Sequence, residues 1–158
     1  MKYLILFCMV CLTARLAPAQ TISIKGGASW SIPSVSSVIT KAGKNYEHTE
    51  TSSASHTLLK VNSLILWNIT AHLSTTSNWD PALKLSVVRT GNGTGIAILT
   101  GGTTYLQLTS TPQAFFSGLL NLTAHRDDIP IQYKIEGLSV TLPVKTYTTT
   151  VMYTISGL

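Results

Sequence analysis

Alternation of apolar and polar residues with a period of two runs through most of this chain, and no segment sustains the 3.6-residue period of a helix. The clearest stretch comes last. Tyr147, Thr149, Val151, Tyr153 and Ile155 fall on one face; Thr148, Thr150, Met152, Thr154 and Ser156 fall on the other. β-Branched and aromatic residues in that rhythm predict a half-buried strand. A strand laid down last needs a partner made earlier, so it is expected to complete a sheet with residues distant in sequence.

Taken in order, Gln20-Thr-Ile-Ser-Ile24 predicts a short first strand ended by Gly26-Gly27, and Val35–Ile39 a second extended piece that Pro33 holds to an edge. Residues 41–57 are polar and without period, as in a long loop. Residues 57–73 carry the heaviest apolar load. Trp67, Ile69 and Ala71 alternate there with Asn68, Thr70 and His72, a core strand with one wet face. Leu83, Leu85 and Val87 repeat the pattern. Thr90-Gly-Asn-Gly-Thr-Gly95 predicts a tight hairpin, because Asn-Gly supplies the positive φ such a turn needs. With Ile96–Leu99, the turn Gly101-Gly102 and Tyr105–Leu108, residues 83–109 are expected to form a β-meander. Phe115–Leu122 fits either a helical face or a strand, and Gly118 favours the strand. His125–Asp128 is expected at a hairpin tip, Ile129, Ile131, Tyr133 and Ile135 on a half-buried strand, with an interruption at Gly137 and a break at Pro143. About eight to ten short strands, with turn signals roughly every ten residues, predict an all-β fold. The expected form is an antiparallel β-sandwich, immunoglobulin-like or jelly-roll-like, and the same pattern also suits sheets closed into a barrel.

The N-terminal end changes the accounting. Lys2 is followed by the apolar run Tyr3–Leu12 and by Ala17-Pro18-Ala19, the pattern of a secretory signal with cleavage after Ala19. The run is shorter than the ~20 residues that span a bilayer. The expectation is a signal peptide over residues 1–19, a single sandwich domain over residues 20–158, and export to the periplasm, the cell surface or beyond. Both cysteines, Cys8 and Cys11, leave with the signal. A disulfide scaffold and cysteine chemistry are thereby excluded for residues 20–158.

Charge excludes another class. Removing Lys2 and Arg15 leaves nine of the eleven basic residues, scattered singly, against six acidic ones. A nucleic-acid surface would gather its cations on one stripe, so no nucleic-acid partner is expected. Catalysis finds no constellation either. No G-x-S-x-G turn is present. Asp127 and Asp128 are adjacent, so their side chains diverge rather than face each other across a cleft. The glycines between Gly91 and Gly102 precede no helix that would hold a phosphate. His48, His56, His72 and His125 lack metal-ligand spacing. The expectation is a non-enzyme with no cofactor and no metal. Asn68, Asn92 and Asn121 open glycosylation sequons, which matter only in a eukaryotic secretory route.

Two candidate surfaces remain. Trp30 and Trp79 flank turn signals, where an aromatic ring can stack on a sugar; packing over the end of the core is the competing role. Gln20, Ile22 and Ile24 form a candidate donor strand with Gly26-Gly27 as its hinge, and the competing role is the first strand of the same domain.

The ending, Pro143-Val-Lys-Thr-Tyr147 leading into Val151-Met-Tyr-Thr-Ile155, resembles that of bacterial secreted fimbria-like and spore-coat-U-like β-sandwich proteins. The chain departs from them in having no cysteine pair in residues 20–158 and in carrying Gly157 in place of the penultimate tyrosine of pilins. The resemblance implies a structural or adhesive subunit of a surface coat or appendage, self-associating or joining another subunit by strand addition. The alternative is a soluble extracellular carbohydrate-binding module.

Overall fold

The computed structural model describes residues 20–32, 47–63, 66–76, 78–119 and 125–157. The signal segment, Val35–Ile39 and Asn121 lie outside them. The described chain is all-β, an antiparallel sandwich of two sheets. One sheet has the order β1 (Thr21–Gly26), β3 (Thr57–Asn62), β9 (Arg126–Ser139), β5 (Lys84–Arg89), β7 (Leu106–Gln107), with β2 (Glu47–Thr51) also paired to β9. The other has the order β10 (Thr150–Gly157), β4 (Leu66–Thr75), β8 (Gln113–Leu119), β6 (Ile98–Gly101).

The predicted inward faces meet between the sheets. Leu59, Val61, Trp67, Ile69, Val87, Ile129 and Ile131 are fully buried, and Phe115 and Phe116 pack edge to face against each other. Trp67 sets the spacing. Its ring lies over Gly118 on the neighbouring strand, where a Cβ would stand 2.1 Å from a ring carbon. Gly118 is therefore a packing requirement rather than a turn. Burial of such side chains, at ~25 cal/mol per Å2 of apolar surface, is the main favourable contribution to the fold. From Thr150 on, the last strand behaves as its alternation predicts, while Tyr147, Thr148 and Thr149 precede it outside the sheet. Tyr153 pairs with Ala71 and Ile155 with Ile69, with Val151, Tyr153 and Ile155 half-buried towards the core.

Four expectations are corrected. Residues 57–73 form two strands in different sheets, β3 and β4, because alternation reports the face of a residue and not the sheet it joins. For the same reason residues 83–109 are not a meander. β5 and β7 pair in one sheet while β6 pairs with β8 in the other, so the Asn92-Gly93 turn opens a crossover instead of a hairpin. Residues 47–51, expected in a loop, add β2 to β9 through main-chain pairing, with no apolar side chain to signal it. Finally, neither Asp127-Asp128 nor Gly137 ends a strand. Both lie within the 14-residue β9 as bulges, with positive φ at Asp128 (55°) and at Gly137 (84°), and the inward parity flips at each.

Candidate functional site

The two sheets do not meet flush along one side. There β1, at the end of one sheet, runs beside β10, at the end of the other, and nothing among the described residues pairs with the outer edge of β10. Between them opens a mainly apolar groove of about 340 Å3, lined by Ile22, Ser23, Ile24, Leu59 and the Thr150–Tyr153 segment. Ile24 on one lip is 47% exposed and Met152 on the other 46%, both large apolar side chains left in water. Beyond the groove, the Gln20 side chain meets the last residue of β10. It lies so near Gly157 that a Cβ there would fall 2.1 Å from its amide nitrogen.

A chain of hydroxyl groups braces the floor. The Tyr153 hydroxyl donates to that of Tyr133 (3.1 Å), which donates to the Thr57 hydroxyl (3.1 Å), which donates to the Gly27 carbonyl (2.6 Å). The chain links β10 to β9 and β3 across the core. Burial raises the Tyr153 phenol well above its ordinary pKa, and the neighbouring Tyr133 adds to the shift. Near the other end of β1, Lys25 bonds Asp128 (2.8 Å), with Asp127 at 3.9 Å and Lys60 also beside Asp127 (3.5 Å). The hydrogen bond to Asp128 raises the Lys25 pKa. The Lys25–Asp128 pair, 41% exposed on both sides, tethers β1 only lightly, since screened surface ion pairs contribute little.

The predicted site residues divide between two places. Ile22 and Ile24 line the groove, but as part of β1, with Ile22 opposite Val61 and Ile24 opposite Leu59 of the same chain, and Gln20 directly precedes that strand. Trp30 and Trp79 lie elsewhere, both half-buried against the core. Trp30 stacks on Tyr133 with ring centres 6.2 Å apart. The Trp79 indole N–H donates to the Leu83 carbonyl (3.0 Å). The histidines are spread out. His48 lies 2.6 Å from the Glu50 carboxylate, His56 lies 3.0 Å from the Ser29 carbonyl, and His72 is on the outer face of β4. Among the described residues no three His, Cys, Asp or Glu side chains gather as a metal site would need. Among the described residues no helix is long and apolar enough to cross a membrane.

One feature passed unnoticed in the sequence. Arg89 and Arg126 are buried, 4% and 5% exposed, and no carboxylate among the described residues reaches either. Carbonyl groups replace one. Arg89 donates to Gly101 (2.8 Å), Gly91 (2.9 Å) and the Asn92 side chain (2.5 Å); Arg126 donates to Asn92 (2.7 Å) and Gly95. Burial lowers the pKa of both, and Arg126 repels Arg89. Together they clamp the crossover that follows β5. Arg89 continues the inward parity of Leu85 and Val87, a signal the sequence did carry.

Comparison with known protein families, with curated proteins and with solved structures finds no match.

Proposed function

We propose that this is a secreted, non-enzymatic structural or adhesive surface protein that works by adding an extended strand to the open seam between β1 and β10. The observation that supports it most is the juxtaposition at that seam. A strand edge that no described residue pairs with lies beside an apolar groove whose lips, Ile24 and Met152, stand exposed. An added strand would gain main-chain hydrogen bonds along the edge while its alternate side chains filled the groove. The N-terminal signal pattern and the fimbria-like ending agree with a surface location, and a pilin-like subunit is the specific form they suggest. The carbohydrate-binding alternative has less behind it, because Trp30 and Trp79 are both engaged internally.

Light scattering after size exclusion tests the proposal on residues 20–158, beside the same chain lacking Gln20–Ile24. Concentration-dependent assembly of either chain supports strand addition, and loss on deletion identifies β1 as the strand that is added. Monomers in both, at every concentration, would sink it.

A further inference from the structure

Strand edges invite pairing, and folds blunt them with shortness, charge, proline or bulges. The described edges of this sandwich are blunted at every place but one. β7 has two residues and β6 four. β2 carries Glu47, His48 and Glu50 and has a register shift between His48 and Glu50. β1 carries Lys25, held by Asp128, and a register shift between Ile24 and Gly26. β10 is eight residues long and has neither charge nor proline, and its one irregularity is at Thr150/Val151, its first step. It leaves a regular edge from Val151 to Gly157 with the groove beside it.

We infer that the strand added at this edge is β10 of a second copy, antiparallel across a two-fold axis, so that the two four-stranded sheets join into one. The inference rests on the strand-addition reading above and names its partner. The edge suits a second copy. Residues 20–158 keep nine basic side chains against six acidic ones, so two molecules repel overall and come together best on a neutral surface. The outer face at this edge is such a surface: Thr150, Met152, Thr154 and Ser156 on β10, backed by Asn68, Thr70 and His72 on β4. Self-pairing of β10 opposes no like charges, and about Tyr153 it sets Val151 of each copy opposite Ile155 of the other. A strand paired about its own centre is self-complementary, the requirement of an isologous dimer. Val151, Tyr153 and Ile155 of both copies would lie on one face and continue the apolar lining of the groove. With Tyr153 at the axis, Met152 of each copy faces Thr154 of the other.

Sedimentation velocity on residues 20–158 tests this with two paired variants, Met152→Lys/Thr154→Lys and Met152→Glu/Thr154→Glu. Both positions are exposed, so each variant is expected to keep the native circular dichroism and melting temperature. The native chain is expected to dimerise, each variant alone to do so at least tenfold more weakly, and an equimolar mixture of the two to recover association. Native-strength association of the lysine variant overturns the inference. If that association disappears on deleting Gln20–Ile24, β1 is the added strand, and strand addition stands without this pairing. A native chain that stays monomeric throughout overturns both.

Discussion

At the Arg89–Arg126 crossover the chain buries two charges and satisfies them; along the β1–β10 seam it leaves apolar side chains in water and a strand edge that no described residue pairs with. The first arrangement is costly to assemble and inert once made, because the hydrogen bonds of the two guanidiniums end on oxygens of the chain itself. The second gives up burial that the fold has within reach. Fully burying a side chain of this size is worth about 1.5–3 kcal/mol, and Ile24 and Met152, 47% and 46% exposed, forgo roughly half of it. Chemistry of interest is often sought where charge is buried, but here the buried charge is internal bracing. The capacity to act on another molecule lies where burial is incomplete.

Mutation can break that contrast at either end. The largest effect is expected at the crossover. Arg126→Ala strands the Asn92 and Gly95 carbonyls and leaves a void, and is expected to cost about 2–4 kcal/mol in urea unfolding. Association at the seam should be unchanged once folding is allowed for. Next comes the hydroxyl chain beneath the seam. Tyr153→Phe removes the bond to Tyr133 and is expected to cost about 1 kcal/mol at neutral pH.

The same substitution sharpens the picture through pH. The folded pKa of Tyr153 is raised, so its favourable contribution is complete below about pH 10, the unfolded value, and is lost as pH rises towards the folded one. Unfolding free energies measured between neutral and strongly alkaline pH should therefore fall less steeply for Tyr153→Phe than for the native chain. An identical alkaline slope would remove Tyr153 from the account. The smallest effect on stability is expected on the lip. Met152→Lys should change the unfolding free energy by no more than about 0.5 kcal/mol, as for other exposed positions, while still weakening association.

The fold was legible in the sequence to the extent that side-chain parity determines it. Trp67, Ile69 and Ala71, Leu85 and Val87, and Ile129, Ile131 and Tyr133 all turn inward as their spacing predicts. Sheet membership was not legible, since a strand in either sheet presents the same alternation. This is why β5, β6 and β7 looked like a meander. The bulges of β9 hid for a related reason. An extra residue at Asp127-Asp128 or at Gly137 shifts the parity and resembles an ended strand, and the first shift also concealed Arg126 as an inward residue. β2 carried no apolar signal at all. Of the seam, one lip was visible in Ile22 and Ile24 and the other in the closing strand. Their position side by side was not, because β1 and β10 belong to different sheets and share no register.

The most direct measurement of the central claim is amide hydrogen exchange on residues 20–158 in dilute and in concentrated solution, read by mass spectrometry over β10 and over β6, the opposite edge of the same sheet. The account predicts that concentration slows exchange in Thr150–Gly157 and leaves Ile98–Gly101 unchanged. Equal exchange in β10 at both concentrations, or protection that appears at β6 instead, would contradict it.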